Sequence, residues 1–252
     1  MNFLSLLALC LLMVFAGLIL FFADRARKDD VPRLRPISAF ETLQTLLAQS
    51  VEAGRRLHLS LGTGGIANAT TAETLAGLTA LDYLAHQTVA AGAAPLVTTS
   101  DPVVMLMAQE QLRQAYQPSY VGQTYTATEV RWLSTQPAAY AAGVMDVLAS
   151  EDLGGNVLLG HFGDEYLLVS EPAYRLNPPQ ETVAAAADPN VLPYVYTSAS
   201  KGLWGEEMFA VGAYLAKKPF HIGSLLAQDT VRWLVGVVIL VGVVLRAFGV
   251  VG

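Results

Sequence analysis

The sequence predicts an α/β protein, a mostly parallel sheet flanked by helices, with one transmembrane helix at each terminus. Three observations predict it. Apolar runs of membrane-spanning length occupy both ends, strand-like and helix-like segments alternate between them, and helix-capping residues follow several strand-like runs. The 252 residues are 53% hydrophobic and only 14% charged, with a mean hydropathy of +0.43. A soluble domain carries about a quarter charged residues. The apolar excess is concentrated at the termini, and the stretch between Arg25 and Asp229 has ordinary globular texture.

The first element is the N-terminal span, residues 1–24. No charge occurs from Phe3 to Ala23, about the 20 residues needed to cross a hydrocarbon core. A cleaved signal peptide would have a basic start and an apolar run of about 7–15 residues. Neither is present, and Leu7-Ala8-Leu9-Cys10 lacks the small residue expected before a lipidated cysteine, so a retained anchor is expected. Arg25, Arg27 and Lys28 follow, then Arg33 and Arg35. The positive-inside rule then puts the segment after the span in the cytoplasm and the N-terminus outside. The charge run from Arg25 to Asp30 reads as a topology determinant and headgroup contact.

Residues 25–56 read as a linker, stiffened by Pro32 and Pro36, and a first helix. Ser38 and Glu41 form a capping box, and Phe40, Leu43, Leu46, Leu47 and Val51 recur at helical spacing. Residues 57–228 are the expected cytoplasmic α/β domain. Leu57 to Gly62 alternates like a strand and ends in Thr63-Gly64-Gly65. Thr70 and Glu73 form a second capping box, opening a helix that stops at Gly92. Pro95–Thr99 is a short strand, and Ser100-Asp101-Pro102 starts a helix running to Gln117. Thr128–Ser134 is the next strand, and Pro137 opens a helix ending near Ser150. Asn156–Phe162 is a strand that Gly163-Asp164 would turn as a hairpin into Glu165–Glu171. Proline-rich loops, a strand at Tyr194–Ser198 and a helix from Leu203 to Lys217 complete the domain. The alternation makes the sheet Rossmann-like, with one antiparallel pair near an edge.

Residues 229–252 are the second span, beginning near Val231. Arg232 and Trp233 suit a cytoplasmic interface, with Lys217 and Lys218 upstream. Arg246 can snorkel to the outer interface or face a bundle. Gly236, Gly242 and Gly249 leave a smooth face without the tighter GxxxG spacing. Two spans give a two-pass cell-membrane protein with both termini outside.

A net charge of −6 and a pI near 5.2 argue against a nucleic-acid binder, which needs a basic stripe to neutralise phosphates. Cys10 is the sole cysteine, so no intrachain disulfide or cysteine metal site exists. No GxxxxGK[ST] loop or GxSxG elbow occurs, no HExxH pair or close histidine spacing suggests a metal, and no cofactor or catalytic residue is assigned. Ligands of open α/β sheets sit beyond the carboxyl ends of strands. Three such ends are rich in hydroxyls: Thr63, Gly64 and Gly65 with Asn68; Thr99, Ser100 and Asp101 after Thr98; and Ser198 with Lys201. Gly62-Thr63-Gly64 matches the start of a dinucleotide turn, but Ala67 takes its third glycine position and Asp82 falls mid-helix. A well-capped strand-to-helix turn explains the same residues. His58 reads as a core or interface residue. His161, beside Asp164 and Glu165, is the most plausible polar-site histidine, although a surface hairpin accounts for it equally. Glu206 and Glu207 suit a helix N-terminus, and Trp204 and Phe220 flank the last helix of the domain.

Arg33-Leu34-Arg35-Pro36-Ile37, Leu61–Gly65, Thr98–Pro102 and Gly202-Leu203-Trp204-Gly205-Glu206-Glu207 carry a resemblance over nearly the whole chain. The sequence resembles an uncharacterised family of bacterial and archaeal membrane-anchored proteins, known as a domain of unknown function. That resemblance implies an architecture and no catalytic residues. Two functions are expected from the sequence. The first is a non-enzymatic, membrane-anchored and oligomeric scaffold or accessory subunit. Its partners would be the lipid bilayer, further copies of itself and other membrane subunits. The second is a membrane-tethered sensory domain binding a nucleotide or another small anionic metabolite.

Overall fold

A computed structural model of the chain describes residues 3–28, 34–117, 125–175 and 180–247. Pro32, Arg33, Gly249 and the Asp29-Asp30 pair, read above as linker, topology and packing residues, lie outside the described residues. In chain order the elements are α1 (Phe3–Arg27), α2 (Ser38–Glu52), β1 (Arg56–Gly62), α3 (Thr71–Val89), β2 (Leu96–Thr99), α4 (Pro102–Tyr116), β3 (Val130–Trp132), α5 (Pro137–Ser150), β4 (Leu153–His161), α6 (Tyr166–Arg175), β5 (Thr182–Ala186), α7 (Leu192–Ser198), β6 (Lys201–Trp204), α8 (Val211–Tyr214) and α9 (Pro219–Ala247). They fall into two compact units, Pro36–Leu215 and the two chain ends.

The central unit holds one six-stranded sheet in the order β3-β2-β1-β4-β5-β6. Every pairing is parallel. The direction of winding reverses between β1 and β4, which pair at the centre. α2, α3 and α4 pack together on one face, and α5, α6 and α7 on the other. Burial on both faces explains β1: Leu57, Leu59 and Leu61 are fully buried, yet so are the intervening His58 and Ser60. The alternation in sequence therefore separates two buried faces, one aliphatic and one polar. α2 seats Phe40, Leu43 and Leu46 in the core, each contributing about 1.5–3 kcal/mol by burial. Gly155 makes room for it, since a Cβ there would stand 2.4 Å from Leu46.

Several expectations are corrected. Glu165–Glu171 is not a hairpin strand, because Tyr166–Arg175 forms α6. A parallel neighbour cannot be reached by a two-residue turn. The buried Tyr166, Val169 and Ala173 also follow helical spacing. Tyr194–Ser198 lies in α7, with Val191 and Val195 buried four residues apart. The strands on this side are β5 and β6 instead. Consequently the Leu203–Lys217 helix begins as strand β6, passes through a 3-10 turn at Gly205–Ala210 and ends in α8. α2 and α3 begin at the expected places, but neither Ser38 nor Thr70 makes a side-chain cap. Asp101 does cap α4, accepting the Val103 and Val104 N–H groups at 2.8 and 2.9 Å.

In the unit of the two ends, α1 and α9 pack against each other. Gly223 sits against the backbone of Ile19 and Ala23, where a Cβ would come within 2.7 Å of both. Ala23, Ala26 and Ala227 are buried there, and the Arg27 guanidinium lies 5.1 Å above the Phe220 ring. Among the described residues, two segments are long and apolar enough to cross a membrane, Leu4–Arg27 and Pro219–Arg246. The second helix starts twelve residues before the expected Val231.

Candidate functional site

The winding reverses between β1 and β4, and in open α/β sheets the crevice beyond the carboxyl ends of the strands at such a point is where ligands bind. Three segments meet there. The first is the turn after β1. Gly62 adopts φ +74°, and a Cβ on it would lie 2.0 Å from the His161 carbonyl oxygen, so this position requires glycine. The Thr63 N–H donates to that same carbonyl at 2.8 Å. Thr70 then holds the turn closed. Its hydroxyl accepts the Gly65 N–H at 3.0 Å and donates to Asn68 at 2.7 Å.

The second segment is Thr99-Ser100-Asp101, whose Ser100 N–H donates to the Gly62 carbonyl at 3.2 Å. Asp101 approaches the turn: a Cβ on Gly65 would lie 3.0 Å from Asp101 Oδ2 and 2.9 Å from Asn68 Nδ2. The third segment is His161–Glu165. Glu165 is nearly buried and accepts the Thr63 hydroxyl at 2.8 Å and the Gly163 N–H at 2.9 Å.

Across the crevice, Glu73 in the first turn of α3 reaches His161 Nδ1 at 2.5 Å. The pair is partly enclosed, its side chains 17% and 25% exposed. The hydrogen bond that the ring donates to Glu73 raises the imidazole pKa above its usual value. Burial opposes this, while the charges of Glu73, Glu165 and Asp188 add to it. The arrangement is thus a carboxylate-rich crevice holding a histidine biased toward its charged form.

Of the residues singled out in the sequence, Thr63, Gly64, Gly65, Asn68, Thr99, Ser100 and Asp101 lie together at this end of the sheet. Ser198 and Lys201 are not. They stand at the amino end of β6, beyond β5, where the Ser198 hydroxyl contacts the Tyr166 hydroxyl at 3.1 Å and the Tyr194 carbonyl at 2.8 Å. Their placement follows from the correction of Tyr194–Ser198 from strand to helix. Sequence reasoning missed Glu73 and Glu165. Glu73 carried a capping pattern that explained it locally, and its partner lies 88 residues away.

Beneath the crevice runs a buried polar chain. His58 contacts Asn156 at 2.7 Å and Thr98 at 2.9 Å, while Tyr140 contacts Ser60 at 2.6 Å and Thr98 at 3.3 Å. Burial pushes the His58 pKa down to about 4 and the Tyr140 pKa up to about 12, so both are neutral at physiological pH. The Gly62 backbone also bonds the Tyr140 hydroxyl, tying the chain to the turn above it. Among the described residues no group of three or more metal-ligating side chains is placed to hold a metal ion.

A family profile described as "Domain of unknown function (DUF6754)" matches residues 1–252. The chain belongs to this family. Neither the curated proteins nor the solved structures gave a match. The DUF6754 match takes in both apolar helices as well as the α/β unit. Of the segments that carried the resemblance, Leu61–Gly65 and Thr98–Pro102 form two of the crevice walls. Gly202–Glu207 continues β6 into the 3-10 turn, where Glu207 accepts the Trp204 N–H at 3.3 Å.

Proposed function

We propose that this DUF6754 protein is a two-pass membrane protein whose α/β domain, on the cytoplasmic side, binds a small polar ligand in the crevice between β1 and β4. The observation that carries this reading is the Glu73–His161 pair, brought together at the switch point from opposite walls. A strand order of 3-2-1-4-5-6 is that of dinucleotide-binding, Rossmann-like sheets, which supports the location. The charges point away from a nucleotide. In such folds a pyrophosphate rests on the first helix N-terminus, whereas here Glu73, its charge offset by His161, occupies that turn, and two further carboxylates, Glu165 and Asp101, lie beside the turn after β1. Two unit charges about 4 Å apart repel by about 4 kcal/mol at an effective dielectric of 20, more than one amide hydrogen bond returns. A cationic or hydroxyl-rich ligand suits the carboxylates better than the anion expected from the sequence. The basic cluster Arg25, Arg27 and Lys28 supports the cytoplasmic placement.

The test is a thermal-shift screen of the full chain in detergent with amines, polyols, nucleosides and nucleotides. A ligand should raise Tm in the wild type and lose its effect in Glu73→Gln and Gly64→Val. A screen in which no compound shifts Tm ends the proposal.

A second reading, an oligomeric non-enzymatic scaffold or accessory subunit, draws on the outer face of α4. Val103, Leu106 and Met107 are exposed there at helical spacing, a contiguous apolar stripe of the kind that marks protein contacts.

A further inference from the structure

The packing of the two apolar helices places a charged pair at an unexpected depth. The apolar stretch of α1 ends at Ala23, where Asp24 and Arg25 mark its boundary. Gly223 of α9 lies level with Ile19 and Ala23. From there α9 runs along α1 toward its N-terminal end, burying Ala227. Asp229 and Arg232 follow about 9 and 14 Å farther along the helix axis, at 1.5 Å per residue. Arg232 therefore lies near the middle of the roughly 30 Å hydrocarbon layer that α1 requires. Placing the boundary at Arg232 instead would leave α1 far too short to span.

The Arg232 guanidinium donates to Asp229 at 3.3 Å, and the two side chains are 56% and 61% exposed. Charged side chains at such depth face a protein interior, not lipid. Gly236 lies on the same helix face, seven residues after Asp229, with nothing within 4 Å of the position its Cβ would take. That face therefore offers two opposite charges and a gap for close helix approach.

We propose that this face of α9 docks a second copy of the chain within the bilayer, Asp229 of each copy pairing with Arg232 of the other. The patch is self-complementary, as a two-fold interface requires. A three-residue offset separates the opposed charges by about 4.5 Å in depth, within reach of an arginine side chain. The proposal rests on the oligomeric reading above and is independent of the ligand reading.

The experiment measures the mass of the full chain in lipid nanodiscs and mild detergent by light scattering. It compares the wild type with Asp229→Arg, Arg232→Asp and the double exchange. A parallel assay in native membranes uses disulfide cross-linking of Trp233→Cys in a Cys10→Ala background, which does not depend on the charge variants folding. The expected result is a wild-type dimer or larger assembly, a cross-linked band at twice the chain mass, monomers from each single reversal, and recovery in the double exchange. A monomeric wild type without cross-linking overturns both the interface and the oligomeric reading. An assembly unchanged by the single reversals overturns the interface alone. So does a monomer held through Arg232 by a different membrane protein, or a reversal that alters only the binding of anionic lipid.

Discussion

His161 and His58 sit in strands that pair at the sheet centre, yet their surroundings drive them in opposite directions. The Glu73 hydrogen bond raises the His161 pKa, so its charged form is favoured on folding. A raised folded pKa contributes stability that is complete below the unfolded value of about 6.5 and fades as pH rises through the folded value. The Tm of the full chain should therefore fall between pH 6.5 and the alkaline side. Glu73→Gln should flatten that slope and cost about 1–2 kcal/mol at pH 6. Parallel curves for the two proteins would show that the pair contributes nothing to stability. His58 behaves in the opposite sense. Its folded pKa of about 4 withdraws stability as pH falls from about 6.5 toward 4. Removing the Tyr140 hydroxyl takes away the partner of Ser60 in a dry interior, while Thr98 keeps its contact with His58, so Tyr140→Phe should cost about 1–3 kcal/mol in a urea melt.

Elements whose burial pattern is local were legible in the sequence. α5 was expected to open at Pro137 and end near Ser150, and it does. The strands β1, β2 and β3 and the Asp101 cap were also found where expected. What failed was the segment between Gly163 and Lys217, and for a physical reason. β5 is Thr-Val-Ala-Ala-Ala, whose three alanines carry little strand propensity, and it is a strand because β4 and β6 pair with it on both sides. Without β5 the neighbouring helix α7 looked like the missing strand, and Ser198 and Lys201 were moved to the wrong end of the sheet with it. The turn residues of the crevice were legible because each is required by local geometry, whereas Glu73 and His161 meet only through the fold. Close approach of elements supplies a further prediction. A Cβ at Gly77 of α3 would stand 2.3 Å from the Leu159 carbonyl oxygen of β4. Gly77→Ala gains about 1 kcal/mol of helix propensity but overpacks a rigid backbone at about 1–3 kcal/mol. A net loss of up to about 2 kcal/mol is expected; a stabilised variant would mean that α3 can move off the sheet.

For the whole molecule, the proposed topology makes a direct prediction about exposure. In sealed inside-out vesicles, protease should reach loops of the α/β domain, while tags on both termini stay protected; the reverse pattern would place the domain outside. The sheet order has another consequence, one of time. β1 is central, but His58 meets its β4 neighbour Asn156 only across 98 residues of sequence. At about 5–20 residues per second of synthesis, the second neighbour of β1 leaves the ribosome roughly 5–20 s after β1 itself. That interval is very long against the microseconds in which a hairpin closes. Throughout it, the strand that will become the middle of the sheet is an open edge, and a ribosome halted before Leu153 would hold half a sheet with its centre bare.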